Sequence, residues 1–141
     1  MAGEKELQEK MLTYRILEAR LESLLKQRDM VASKLLEIQT TLASMNEIEK
    51  SNEEILFPIG AEAYTFGKVI DKKKFIVDIG ANVALEKTAE EGKQILNKRK
   101  EEMENVLNSM QTDIAQISST LEVLGPEIQM MAEQIERKEA G

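Results

Sequence analysis

Cysteine and histidine are both absent from this chain of 141 residues. Their absence excludes disulfides, the common zinc sites, thiol nucleophiles and every catalytic triad that depends on imidazole. Tryptophan is also missing, and two Pro and five aromatic residues leave little bulk for one compact core. No apolar run approaches the roughly 18 residues that cross a bilayer, and Met1 is followed by AGEKELQEK rather than a signal h-region. These absences lead to the expectation of a soluble, cytoplasmic protein with no membrane partner. The 19 basic against 26 acidic residues give a net charge of -7, too acidic for a nonspecific nucleic-acid binder. What remains is a composition in which Ala, Glu, Lys, Leu and Arg make up about half of the chain, as in long helices and coiled coils.

The residue types are unevenly spread. Four of the five aromatics (Phe57, Tyr64, Phe66, Phe75) and four of the seven Gly (Gly60, Gly67, Gly80, Gly92) fall within residues 57–92, whereas all eight Met lie outside that stretch. The chain therefore reads as a helical arm, a β-like middle and a second helical arm, together one unit over residues 1–141.

In the first arm, Leu7, Tyr14, Leu21, Arg28, Leu35, Leu42 and Glu49 occupy one seam position of a heptad. Lys10, Leu17, Leu24, Val31, Ile38 and Met45 occupy the other, and ten of these thirteen are apolar. A helix over 5–50 would be about 69 Å long. The second arm, 89–138, opens at Thr88-Ala89-Glu90-Glu91, a capping box in which hydroxyl and carboxylate each accept from a free backbone N–H. Its seam reads Leu96, Met103, Val106, Met110, Ile114, Ile117, Leu121, Leu124, Ile128, Met131 and Ile135. Two consecutive steps of four predict a stutter near Met110. Gly125-Pro126 predicts a kink or short break, because Pro lacks the amide donor and clashes with the carbonyl four residues back.

Arms of similar length joined by fewer than 40 residues predict an antiparallel coiled-coil hairpin, with partner numbers summing to about 139. Leu7 then faces Ala132 and Met11 faces Ile128, both near the chain termini and opposite the β part. Between the arms, residues 55–59, 61–70, 75–79 and 83–87 predict four short strands in two hairpins, with Pro58 suited to a strand start or edge. Phe57, Tyr64, Phe66, Ile70, Ile76, Val77 and Ile79 are too many apolar groups for so small a segment to cover. Other subunits are expected to complete the strands into a barrel.

Candidate chemical motifs give way to plainer readings. Gly60 and Gly67-Lys68 are spaced wrongly for a phosphate loop, and Val69 stands where Ser or Thr would hold Mg²⁺. The carboxylate pairs Glu53-Glu54, Glu90-Glu91 and Glu101-Glu102 fall in stretches expected to be wet, where no pKa would be raised for acid catalysis. No catalytic residue, cofactor or metal site is expected, and Lys72, Lys73 and Lys74 read as a solvated turn. Arg28, in the seam, either extends its charge to the edge or pairs with Asp113 across the hairpin. Leu7, Met11, Tyr14, Ile128, Met130, Met131 and Ile135 lie in the last turns of helices that end freely. Fraying there would expose adaptable apolar surface, favoured by the Pro126 kink, although ordinary coiled-coil packing is the competing reading.

From Ile55 to Met103, the runs Ile-Leu-Phe-Pro-Ile-Gly-Ala-Glu-Ala-Tyr-Thr-Phe-Gly-Lys-Val and Phe-Ile-Val-Asp-Ile-Gly-Ala-Asn-Val-Ala-Leu-Glu-Lys-Thr-Ala-Glu-Glu closely resemble the α-type subunit of prefoldin. Asn82 departs from the Gly that many members carry after Gly80, but Asn tolerates a left-handed backbone. The resemblance implies an ATP-independent holdase, two α-type with four β-type subunits joined through β-barrels. Six coiled-coil tentacles would grasp non-native polypeptides at their tips and deliver them to a group II chaperonin. It also admits a divergent branch of homomeric filaments built through the same strands. A structural coiled-coil scaffold without client binding is the competing class.

Overall fold

The computed structural model describes residues 2–51 and 53–141. Met1, where the single-unit expectation begins, lies outside them. Two long helices enclose two β-hairpins, in the order α1 (Ala2–Lys50), β1 (Ile55–Gly60), β2 (Ala63–Gly67), β3 (Lys74–Gly80), β4 (Val83–Thr88), α2 (Ala89–Ala140). The residues group into two compact units, Met1–Ser33 with Asn105–Gly141, and Lys34–Glu104.

The first unit contains the start of α1 and the end of α2. Along α1, the seam positions from Leu7 to Val31 are all half-buried, because a seven-residue apolar repeat keeps one stripe against the neighbouring helix. The pairing is antiparallel: Tyr14 lies against Gly125, and Lys10 bonds Glu127. Along α2 the periodicity is more regular than the sequence reading. Val106 is exposed and Leu107 takes its place, so the seam runs Leu107, Met110, Ile114, Ile117, Leu121, Leu124, Ile128, Met131, Ile135. Steps of four and three alternate throughout, and the expected stutter near Met110 does not exist. Nor does α2 break at Pro126, which stays inside the helix. One missing donor in a helix of 52 residues is a local loss that packing on both sides outweighs. Arg28 bonds Asp29 of its own helix at 3.4 Å rather than Asp113, so its charge turns outward from the seam.

The second unit holds the remaining helical segments and both hairpins. Ile38, Met45 and Leu96 form its buried core, with Leu42, Phe75 and Met103 packed against it. Gly92 sits where three elements converge: a Cβ there would meet Met45 Cε at 3.2 Å and Val77 Cγ2 at 3.6 Å. Absence of a side chain thus lets α2 approach both α1 and β3. Glu49, the one exposed seam residue of α1, pairs with Lys93 at 2.8 Å. Thr88 Oγ1 accepts from Glu91 N–H at 3.1 Å, the hydroxyl half of the cap, while the Glu91 carboxylate turns to Lys87 at 3.8 Å.

The hairpins are structural repeats offset by twenty residues. Ile55↔Gly67, Leu56↔Phe66, Phe57↔Thr65 and Pro58↔Tyr64 recur as Phe75↔Lys87, Ile76↔Glu86, Val77↔Leu85 and Asp78↔Ala84. Each register shifts at the same place, before Gly60 or Gly80, whose φ of 122° and 107° suits only glycine. The turns that follow, Ala61-Glu62 and Ala81-Asn82, all have positive φ, the two-residue geometry whose twist matches that of the strands. Asp78 secures the second by accepting from Gly80 N–H at 2.8 Å, a position that rigid Pro58 occupies in the first. β2 is Ala63–Gly67, shorter at both ends than the expected 61–70, because Ala61 and Glu62 make the turn. Ile70 lies in a bend, fully exposed, because the chain must turn to reach the Asp71 loop, where Asp71 accepts from Lys73 N–H.

Candidate interaction surfaces

The two sheets have two strands each and are not hydrogen-bonded to one another, so every strand has an edge that no other strand pairs, although the Arg99 side chain donates to the Asp78 carbonyl of β3. Within a hairpin, residues on alternate pairs share a face. On the first, Leu56, Phe66, Pro58 and Tyr64 form one face, and all are exposed. On the second, Phe75 and Val77 turn into the helical core, leaving Ile76, with Ile79, Val83 and Leu85, exposed.

Of the residues anticipated for subunit contact, Tyr64, Phe66, Ile70, Ile76 and Ile79 are therefore open. Phe57 is half-buried, its ring lying across Gly67, where a Cβ would come within 2.9 Å. Val77 is spent inside the chain against Gly92. Leu56, Ile59, Val83 and Leu85 are also exposed but were not anticipated; Leu56 stands directly opposite Phe66 across the first hairpin. Covering each such side chain is worth about 1.5–3 kcal/mol. An open cleft of about 940 Å³ lies between the last turn of α1 and the other face of β1, lined by Ile48, Ile55 and Phe57 among others.

A second set of apolar groups gathers in the first unit. Leu7, Tyr14, Ile128, Met131 and Ile135 are half-buried seam residues, whereas Met11 and Met130 are exposed. Gly125 leaves a notch in α2 where the Tyr14 ring approaches to 3.5 Å of the place a Cβ would take, and Met11, Tyr14, Arg15 and Ile128 line a groove of about 260 Å³ beside it. More telling are residues away from the seam. Leu12, Ile16, Val123 and Met130 are 59–69% exposed. Leu12 with Ile16 and Val123 with Met130 are spaced by four and seven, so each pair marks an outward stripe on its helix, with Pro126 between the latter two. The antiparallel pairing sets both stripes at the same height. Only Met130 of these four was anticipated; the signal for the others was apolar spacing off the seam.

Electrostatically the region is held by Lys10, which reaches Glu127 across the helices and lies 3.9 Å from Glu6 on its own. Among the described residues no cluster of His, Cys, Asp or Glu is suited to a metal ion, and no helix is long and apolar enough to cross a membrane.

The model for the family described as prefoldin subunits matches residues 17–134. That range contains both hairpins but leaves Leu7, Met11 and Tyr14 before it and Ile135 after it. Prefoldin subunit alpha of Pyrococcus horikoshii is 28% identical over 139 residues, covering 96% of this chain and 91% of the relative. Prefoldin subunit alpha 1 of Thermococcus kodakarensis is 31% identical over 97 residues, 67% of this chain and 66% of the relative. In fold, the chain is similar to a solved structure of filamentous PFD from Methanocaldococcus jannaschii, with a TM-score of 0.67, 21% identity, and coverage of 80% of this chain and 95% of that one.

Proposed function

The chain belongs to the prefoldin subunit family, and from that premise we propose that it is an α-type subunit of an ATP-independent holdase in the cytoplasm, not an enzyme. Residues 1–141 act as one prefoldin-like unit. The exposed strand faces, with Phe57, Tyr64, Phe66, Ile70, Ile76, Val77 and Ile79 in or beside them, join β-type subunits in an assembly of two α-type and four β-type chains. The helix ends capture non-native polypeptides, which pass to a group II chaperonin.

One observation carries the capture reading. Leu12, Ile16, Val123 and Met130 occupy outward positions that a coiled coil ordinarily fills with polar groups. Exposed apolar area of this kind binds apolar segments of any sequence, and Met adapts its shape to each. Fraying of the helix ends adds Leu7, Met11, Tyr14, Ile128, Met131 and Ile135 to the contact. Several such ends in one assembly bind jointly by effective concentration, so each contact can be weak and release needs no nucleotide. Deleting residues 1–14 and 126–141 leaves the number of subunits in the assembly unchanged and abolishes suppression of a client's aggregation, read by light scattering. Full protection by the truncated protein would refute capture at these ends.

The relative in the filamentous structure supports a second reading, in which the same strand faces join copies of this chain into a filament. Mass measurement separates the two: long homopolymers of the purified chain favour the filament, and a hexamer formed only with a β-type partner favours the holdase. A scaffold without client binding predicts no effect on aggregation in either form.

A further inference from the structure

Sulfur is partitioned along this chain. Every Met lies outside residues 57–92, so the strand faces are built from Ile, Leu, Val, Phe and Tyr, none with a thioether to oxidise. In the helices the thioethers differ in access. Met45 is 4% exposed in the core, and Met103, Met110 and Met131 are half-buried. Met30, Met130 and Met11 are 74%, 61% and 38% exposed. Met130 stands on the outward stripe one heptad after Val123, and Met11 lines the groove beside Tyr14 and Ile128. Met30 lies two heptads beyond Ile16, away from both.

We propose that Met11 and Met130 are modification sites at which hydrogen peroxide switches off client capture without disturbing assembly; the inference rests on the capture reading above. The sulfur lone pair attacks one peroxide oxygen, an S–O bond forms as the O–O bond breaks, the oxygen now on sulfur gives up its proton, and the departing hydroxide takes up a proton and leaves as water. Sulfur is oxidised by two electrons, peroxide is reduced by two, and the product is methionine sulfoxide. The new S=O accepts hydrogen bonds from water, and covering it with an apolar segment strips them away without replacement. Capture is weakened where the oxygen is added, whereas the strand faces carry no sulfur to respond. A thiol-dependent sulfoxide reductase would restore the thioether.

The test treats the full-length assembly with graded hydrogen peroxide. Peptide mass spectrometry reads oxygen addition, light scattering reads assembly mass, and suppression of a heat-aggregating reporter protein reads capture. Oxygen is expected at Met30, Met130 and Met11 ahead of Met45, with unchanged assembly mass and loss of suppression in step with Met11 and Met130. Met30→Leu loses suppression at the same dose as the unmodified sequence. The double variant M11L/M130L, compared with its own untreated form, keeps it. Undiminished capture by the oxidised protein overturns the proposal, as does a double variant that loses capture to peroxide. Untreated protein that captures nothing overturns the capture reading, and this inference with it; protein that captures before treatment and just as well with Met11 and Met130 oxidised overturns this inference alone.

Discussion

Glycine and its substitutes decide several local geometries. Ala61, Glu62, Ala81 and Asn82 all have left-handed φ, which costs residues with a Cβ about 1–2 kcal/mol, less for Asn. Glycine there removes that strain but adds about 0.5–1 kcal/mol of unfolded-chain entropy to be lost. Glu62→Gly is therefore expected to stabilise by about 0.5 kcal/mol, read from the midpoint of chemical denaturation. At Gly92 the sign reverses, since Met45 and Val77 already occupy the space beside it. Gly92→Leu would overpack the meeting point of α1, α2 and β3 and lower stability by about 1–3 kcal/mol in the same measurement.

At the scale of elements, the helices are regular where the sequence is irregular. α2 tolerates Gly125 and Pro126 in succession, and the tertiary use of that weak point is the Tyr14 ring seated in the notch. Pro126→Ala restores a donor to the helix, so amides of residues 127–135 should exchange more slowly with deuterium, with amides 107–117 unchanged. Close by, Lys10 and Glu127 form a partly exposed ion pair, worth about 0.2–1 kcal/mol and screened by salt. Lys10→Ala should consequently lower the melting temperature slightly at low ionic strength and have less effect at high salt.

At the scale of the whole molecule, two-stranded sheets with apolar outer faces and edges that no strand pairs are marginal alone. Phe66 and Ile76 are among the most exposed of their residues, and neither packs into the helical core. The double variant F66S/I76S should keep its helical circular dichroism yet fail to assemble, reading as a low mass in light scattering. Assembly that persists unchanged would mean that the strand faces are not the joining surface.

The sequence alone determined the two helices, the seam of α1, the two hairpins and the turn after Gly80, because a period of seven and a glycine at the end of a strand are local properties. Seam residues from Leu7 to Met45 are buried or half-buried as their spacing requires. Other matters needed the partner element. Val106 and Leu107 are adjacent and both apolar, and only the position of α1 selects Leu107. Val77 and Ile76 alternate on one strand, and only the helical core selects Val77 for burial. Likewise Leu12, Ile16 and Val123 look like any apolar residues in a helix until the antiparallel pairing sets them outward at one height. Periodicity says which residues share a face; which face meets protein and which meets water depends on what the rest of the chain leaves uncovered.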